Sequence, residues 1–170
     1  MGEPSAAPVL QENQLEHIIC NISGVPLRNE TLEGKTYTVV PMVMAVEGVL
    51  NGSDGPILYP KEELSKTPVV WNHKPIVVYH PLINGQGVSA CLPEIINSRK
   101  IGVIMNAKFP AGALKAEAWR DMDRVTSVDN RIKMNLDKGI MTEVSTGLFT
   151  DQEKTEREFK GTNNKAIVRN

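Results

Sequence analysis

Short apolar segments separated by turn residues dominate the middle of this chain. Residues 36–40 have the sequence TYTVV, and apolar residues continue through positions 42–50. β-Branched and aromatic side chains favour strands, so both segments are predicted to be strands. Pro41 lies between them and cannot donate to a sheet ladder, which predicts an edge, a bend or a bulge. The residues NGSDGP at positions 51–56 predict a turn after the second strand.

Further strands are predicted downstream of this turn. Residues 76–80 have the sequence IVVYH and form an apolar segment that Pro81 closes, and residues 101–109 form another. Positions 113–119 alternate, with apolar residues at the even positions on one face and Lys, Glu and Trp on the other. A last strand is predicted over 140–149. The chain is therefore rich in short strands.

One amphipathic helix interrupts these strands. Between about Asp123 and Lys138, apolar residues recur at helical spacing, and Gly139 suits the helix end. The apolar stripe consists of Val125, Val128, Ile132 and Leu136. A single helical turn is predicted over 59–64, where Pro60 suits the first helical position. The fold predicted from these elements is α+β, a mainly antiparallel and partly closed β-barrel with flanking helices.

The chain is organised as one domain with a tail. Residues 1–14 are small and polar, with two prolines, and are predicted to form a mobile N-terminal tail. Residues 15–170 are predicted to form the domain. Within it, residues 151–160 have seven charged residues in ten and are predicted to form a solvated loop or a short exposed helix.

Composition excludes several classes of protein. The chain has 170 residues, a net charge of −1 and two cysteines. The balanced charge argues against a dedicated nucleic-acid binder and against a polybasic membrane patch. Two cysteines are too few for a disulfide scaffold, and we expect reduced thiols in a cytosolic compartment. The longest apolar run, 39–46, is too short to span a bilayer, and residues 1–14 do not have the pattern of a signal peptide.

Two residues are candidates for chemistry. His80 ends an apolar strand at Pro81, a position where an imidazole can be held in one tautomer at a rim. Ser145 lies in a predicted strand two residues before Gly147, which would let a substrate backbone approach closely. A serine hydroxyl becomes a nucleophile only when a base takes its proton. From the residues alone, both also fit purely structural roles.

The remaining histidines and a possible metal site are weaker candidates for a functional role. His17 is interpreted as a structural or surface residue, and His73 as a turn residue near Trp71. A metal site formed by His73, His80 and a carboxylate has no recognised spacing, and the acidic residues near the helix start do not have the spacing of a calcium loop. No metal and no cofactor is therefore expected.

Five ordered segments together resemble a known family. They are GKTYTVVPMVMAVEGVLNGSDGPILYP, WNHKPIVVYHP, KIGVIMNAKF, LKAEAWRD and GIMTEVSTGLF, which span residues 34–149. This series resembles the prohead (procapsid) maturation proteases of tailed phages and prophages, a group similar in fold to the herpesvirus assembly protease. The most specific parts are the His-Pro after an apolar strand and the Glu-Val-Ser-Thr-Gly after a helix.

The resemblance implies a serine endopeptidase with a Ser–His pair on a β-barrel. His80 matches the histidine of the family and would be the general base, and Ser145 matches the serine nucleophile. The third member comes from a downstream segment in this family, so the chain is expected to be truncated at Asn170. The orienting group is then either lost or replaced by a carboxylate, for which Glu143 and Glu117 are the candidates.

The resemblance also implies partners and a location. The expected substrates are the scaffolding protein, the N-terminal region of the major capsid protein and the protease itself, inside the prohead in the bacterial cytoplasm. Self-association is left open, and no nucleic-acid or membrane partner is expected. Two alternatives remain, a non-catalytic phage assembly module with a tail-tube-like barrel and a small-molecule esterase. The esterase lacks a Gly-x-Ser-x-Gly elbow because position 143 is Glu.

Overall fold

The computed structural model describes residues 15–22, 28–52, 55–138, 144–149, 156–161 and 164–169. In chain order, the strands are β1 (Leu15–Ile22), β2 (Arg28–Leu32), β3 (Lys35–Val46), β4 (Gly48–Gly52), β5 (Gly55–Tyr59), β6 (Pro75–Val77), β7 (Leu82–Ile83), β8 (Gln86–Gly87), β9 (Lys100–Lys108), β10 (Ala113–Arg120), β11 (Val144–Phe149), β12 (Glu156–Gly161) and β13 (Asn164–Arg169). The α-helices are α1 (Lys61–Lys66), α2 (Pro93–Arg99) and α3 (Met122–Asp137), and a 3₁₀ turn covers Pro68–Trp71.

A seven-stranded antiparallel sheet forms the centre of the molecule. Its strand order is β11-β1-β3-β10-β9-β6, and β2 pairs with the first half of β3. β3 is the longest strand, with 12 residues, and it pairs with three neighbours. The prediction of an α+β fold with a mainly antiparallel sheet is confirmed.

Pro41 lies where β3 changes partner. On one side of β3, residues 35–39 pair with β2, whereas residues 42 and 43 pair with β1. On the other side, Pro41 pairs with Glu117 of β10. A residue without an N–H is tolerated here because the partner strand changes at this point. This agrees with the prediction of a local irregularity at Pro41.

The core lies on the face of the sheet that carries the even positions of β10. Leu114, Ala116 and Ala118 are buried there, as their alternation predicted, together with Met42 and Met44 of β3. Side chains of α1 and of the 3₁₀ turn cover the same cluster. Because successive strand residues point to opposite faces, the odd positions of β10 are left for polar contacts.

Helix α3 covers a second, smaller cluster. It consists of Val78, Ile101 and Val125, and Val125 is completely buried. The helix was predicted from about 123 to 138 and is found over Met122–Asp137. Asp121 caps its start, since one carboxylate oxygen accepts from the N–H groups of Asp123 and Arg124, at 3.1 Å each. The helix is interrupted at Asp129, which has non-helical φ and ψ of −155° and 98°.

Several predictions need correction. Residues 156–160, predicted as a loop or an exposed helix, lie in β12, which pairs with β13. The predicted strand over 76–80 is shorter, since β6 ends at Val77. Helix α2 was not predicted, because its short sequence PEIINSR carries only one buried side chain and hence little periodic signal. The predicted tail, residues 1–14, and the start of the last predicted strand, residues 140–143, lie outside the described residues.

Closure of the sheet into a barrel is not found among the described strands. β6 and β11 are the two ends of the strand order, and the pairing partners found for them are β9 and β1. The barrel therefore stays a prediction.

Candidate functional site

His80 lies in a loop that is fixed at several points. The loop starts after β6 with Val78, which is buried in the second cluster and donates its N–H to the Arg99 carbonyl oxygen at 3.0 Å. It ends with Pro81, which is buried and accepts from the Val88 N–H at 3.0 Å. His80 itself is half-buried. The half-buried state agrees with the prediction from the sequence, whereas the strand that His80 was predicted to end stops three residues earlier, at Val77.

Tyr79 has an unusual backbone conformation directly before His80. Its φ is +60°, in the left-handed region that a bulky residue rarely adopts. Its side chain is 64% exposed, yet its hydroxyl group donates to Asp129 Oδ2 at 2.8 Å and accepts from Arg131 Nη2 at 2.9 Å. The loop that carries His80 is thus attached to α3 at the interruption of the helix.

Asp129 is the centre of this cluster. Its Oδ1 accepts from the backbone N–H and from Nε of Arg131, both at 3.0 Å, and its Oδ2 accepts from Nη2 of Arg131 at 2.7 Å. The paired guanidinium of Arg131 and the hydroxyl group of Tyr79 hold the pKa of Asp129 well below its usual range. The same hydrogen bond to Asp129 raises the pKa of Tyr79. The carboxylate is therefore ionised, and the hydroxyl group neutral, across the neutral pH range.

The sequence did not predict this cluster. Asp129 and Arg131 lie 50 and 52 positions after Tyr79 in the sequence. Neither of them belongs to the apolar stripe that predicted the helix. The only available signal was a tyrosine directly before the His-Pro of the resemblance.

Ser145 lies in β11, at one end of the sheet. It pairs with Ile19 of β1, and Gly147 pairs with His17 in the same ladder. The side chain of Ser145 lies outside the described part of the structure, so its distance from His80 does too. Five strand steps separate β11 from β6, which is about 24 Å across a flat sheet at roughly 4.8 Å per step. Curvature of the sheet decides whether the two ends meet.

Glu117, one candidate for the third group, is already engaged by several donors. Its carboxylate accepts from Arg28 Nη2 at 2.8 Å, from Asn106 Nδ2 at 2.6 Å and from Trp119 Nε1 at 3.0 Å. Burial opposes its ionisation, but these donors outweigh burial and lower the pKa of Glu117. β1 and β3 lie between its strand, β10, and the strand of Ser145. The structure thus brings Glu117 together with Arg28. The other candidate for the third group, Glu143, lies outside the described residues.

The structure places His73 in a turn, as predicted, whereas the side chain of His17 lies outside the described part of the structure. His73 is exposed in the turn before β6, has a φ of +66° and donates its N–H to the Ile104 carbonyl oxygen at 2.7 Å. His17 lies within β1. In the part of the chain that the structure describes, no group of three or more His, Cys, Asp or Glu residues could hold a metal ion.

A shallow cavity of about 340 Å³ lies apart from the loop of His80, beside the start of α3. Among its lining residues, Lys35 pairs with Asp121 at 2.5 Å, and Arg124 donates to the carbonyl oxygens of Asn97 and Lys100. These polar groups are used in joining α2, α3 and the β2–β3 hairpin, so the cavity offers no arranged set of reactive groups.

Comparisons with protein families, with curated proteins and with solved structures found no match for this chain. Among the described residues, no helix is long and apolar enough to cross a membrane. The function is therefore inferred from the residues and from their placement in the sheet.

Proposed function

We propose that this protein is a serine endopeptidase of phage capsid maturation, with Ser145 as the nucleophile and His80 as the general base. In the proposed reaction, His80 takes the hydroxyl proton while Ser145 Oγ attacks the scissile carbonyl carbon and forms a tetrahedral intermediate. His80 then gives the proton to the leaving amine as the C–N bond breaks, which leaves an acyl-enzyme, and water hydrolyses this ester by the same proton path. Backbone N–H groups near Gly147 would stabilise the oxyanion.

The observation that carries this proposal is the placement of both candidates at the ends of one sheet. Ser145 lies in β11 and His80 follows β6 by three residues, and these are the two terminal strands of the order. When a twisted sheet curls into a barrel, its terminal strands are the ones that approach each other. The proposed herpesvirus-protease-like barrel would therefore bring the two residues to one seam.

The rigidity of the loop gives a second line of support. A general base must stay within hydrogen-bond reach of the hydroxyl group that it deprotonates, at about 2.6–3.2 Å between heavy atoms. The loop from Val78 to Pro81 is fixed by burial at both ends and by the Tyr79 hydroxyl group in between. Such a loop suits a residue whose position has to be maintained.

The third group of the proposed site is left without an assignment. Glu117 is occupied by Arg28, Asn106 and Trp119, so it would have to exchange these donors in order to orient His80. The proposed substrates, which are the scaffolding protein, the N-terminal region of the capsid protein and this chain itself, follow from the resemblance alone. The proposed place of action is the prohead in the bacterial cytoplasm.

A labelling experiment tests the nucleophile without a known substrate. A fluorophosphonate probe would react with Ser145, forming an O–P bond while fluoride leaves and His80 accepts the proton. We expect the intact mass to increase by one adduct, on the peptide that contains Ser145, and Ser145→Ala to abolish labelling. Ser127→Ala is the matched control, because Ser127 is an exposed serine of α3. Labelling that persists in Ser145→Ala would remove Ser145 from the mechanism.

The base is tested by comparing two histidines. Replacing His80 by Ala should slow labelling and self-cleavage by about 10²–10⁴-fold, the usual contribution of a general base. His73→Ala should retain most of the rate, because His73 lies exposed in a separate turn. Mass spectrometry of the chain co-expressed with its capsid protein measures self-cleavage and capsid cleavage together. Equal losses in both variants would contradict the assignment of His80.

One observation favours a second function. The described strands leave β6 and β11 unpaired with each other, which is the arrangement of an open sheet. If the sheet does not curl, Ser145 and His80 stay apart, and the domain would act as a non-catalytic assembly module. The module would bind capsid or tail proteins but show no specific labelling of Ser145.

A further inference from the structure

We propose that Tyr79, Asp129 and Arg131 form a latch that positions His80 by attaching its loop to helix α3. This inference rests on the proposed function, in which His80 is the base. It adds three residues that position His80 and that the sequence did not indicate. The name "latch" denotes these three residues together.

The backbone around His80 has little freedom left. Tyr79 precedes it in a left-handed conformation, with a φ of +60°. Pro81 follows it and restricts His80 to extended conformations, because the proline ring clashes with a helical residue before it. Val78 and Pro81 are both buried, so neither end of the loop can shift freely. The backbone of His80 is therefore constrained from both sides.

The left-handed conformation of Tyr79 needs an external cause. A bulky residue loses about 1–2 kcal/mol in this region relative to an ordinary backbone conformation. The ring is mostly exposed, so burial does not hold it. The hydroxyl group, however, bonds to both Asp129 and Arg131. The two hydrogen bonds of the latch are therefore the contacts that can keep Tyr79 in place.

The other half of the latch is built into α3. The carboxylate of Asp129 is only 9% exposed, and it caps the second segment of the helix through the N–H of Arg131. Because the helix is interrupted at Asp129, this carboxylate can also accept the hydrogen bond from the Tyr79 hydroxyl group. The first segment of α3 is anchored by Val125, which packs on Val78 and Ile101 in the second cluster. One helix thus holds both the start of the loop and Tyr79.

The charges of the latch are constant across the neutral pH range. Because the pKa of Asp129 is depressed and that of Tyr79 is raised, neither group changes its charge between about pH 5 and 8. The imidazole of His80 can then gain or lose its proton while the position of its loop is constant.

The test follows His80 directly, by NMR titration of its imidazole protons in the full chain. We expect Tyr79→Phe and Asp129→Ala to move the His80 titration midpoint, and the midpoint of the pH profile of fluorophosphonate labelling to move with it. The labelling rate at the optimum should fall about tenfold, since small misplacements of a catalytic group are costly. His73 serves as an internal reference, whose midpoint should not move.

Two further variants keep the test decisive. Tyr37→Phe removes a hydroxyl group from a tyrosine of β3 and should leave His80 unchanged. Arg131→Met breaks the latch at a side chain that is 77% exposed, so it provides a folded variant if Asp129→Ala unfolds. An unchanged His80 midpoint in folded Tyr79→Phe and Arg131→Met would overturn the latch.

The outcomes also separate this inference from the proposed function. If His80 responds to the latch variants but the wild-type chain shows neither labelling nor cleavage, the latch stands and the protease assignment fails. If labelling of Ser145 is present and the latch variants change neither the midpoint nor the rate, the protease assignment stands and the latch fails.

Discussion

Six non-glycine residues in the described part of the chain have a positive φ. Asn106 lies within β9, and the other five fall into two groups. Glu33, Asn84 and Ala111 each precede a glycine in a tight turn between antiparallel strands, where left-handed residues match the twist of the hairpin. Tyr79 and His73 are not in hairpin turns, and both flank the strand β6. A turn explains the first group. Tyr79 lies outside such a turn, and its hydroxyl group bonds to Asp129 and Arg131.

Gly102 offers a prediction at the scale of one residue. It lies in β9 between β10 and β6, and a Cβ atom placed there would lie 2.2 Å from the carbonyl oxygen of Trp119. Since that oxygen belongs to the backbone, Gly102→Ala would force two strands apart. We expect a loss of about 3 kcal/mol in the free energy of unfolding, the upper end of the usual cost of overpacking.

The matched control for Gly102 is Gly34→Ala in the β2–β3 hairpin. A Cβ atom at Gly34 would have nothing within 4 Å, so only its φ of +75° opposes the substitution. We expect a smaller loss, about 1 kcal/mol. Urea denaturation at pH 7 measures both variants. A loss in Gly102→Ala no larger than in Gly34→Ala would contradict the close approach of β9 and β10.

At the scale of elements, α3 depends on the residue before it. Asp121 is 5% exposed, caps the helix and pairs with Lys35 of β3, so it joins the helix to the sheet. Burial opposes its ionisation, but the hydrogen bond from Lys35 and those from the N–H groups of α3 lower the pKa of Asp121 overall. Because α3 also carries Asp129, the cap at Asp121 contributes indirectly to the position of the latch.

Two variants of Asp121 separate capping from charge. Asp121→Ala should reduce the free energy of unfolding by about 1–2 kcal/mol, the usual cost of losing a helix cap. Asp121→Asn should lose less at pH 7, because asparagine also caps helices. The folded pKa is lower than the unfolded value of about 3.9, so the charge stabilises above that pH and its contribution disappears as the pH falls through the folded pKa.

The pH dependence gives the measurement for this prediction. Urea denaturation of the wild-type chain and of Asp121→Asn should differ most above about pH 5, and the difference should shrink toward about pH 2.5. A difference that is the same at both ends of this range would show that the ionised carboxylate does not stabilise the folded state.

At the scale of the whole molecule, the core consists of two clusters that are covered by different elements. The larger cluster packs under α1 and the 3₁₀ turn, and the smaller cluster packs under α3. Ile76 of β6 contacts both clusters, so the strand that leads to His80 is held by the two parts of the core together. The proposed endopeptidase function then depends on the curvature of the sheet, which sets the distance between β6 and β11.

A distance measurement tests this curvature. In a chain whose Cys20 and Cys91 have been replaced by Ser, new cysteines at positions 74 and 147 carry the spin labels. Both positions are exposed, and the distance between the labels measures the separation of the two ends of the sheet. A closed barrel predicts a separation below about 15 Å, whereas a flat sheet of five strand steps predicts about 24 Å or more. Lys108 and Lys115, which are paired and exposed, provide the reference for adjacent strands.

The measured distance decides between the two proposed functions. A short distance agrees with the Ser145–His80 seam and hence with the endopeptidase. A distance near that of the flat sheet would contradict the seam and favour the assembly module.

The sequence by itself determined the features that depend on neighbouring residues. Alternation predicted the buried face of β10, and the apolar stripe predicted α3 to within about one residue, because strand and helix periods are local properties. β4 and β5 pair with each other on either side of the turn that the Asn-Gly and Asp-Gly pairs predicted, and residues 53 and 54 lie outside the described residues. Chain segments with a mixed signal were predicted less well, such as the charged β12, whose pairing with β13 outweighs its composition.

The tertiary structure alone decided which distant residues meet. Nothing in the spacing of Tyr79 and Asp129 indicates their contact, which arises because α3 packs against β6 and β9 and is interrupted at the right position. Glu117 could not be known to bind Arg28, since the two are 89 positions apart and meet only through the order of β2, β3 and β10. Local patterns fix the elements, whereas contacts between elements depend on the packing of the whole chain.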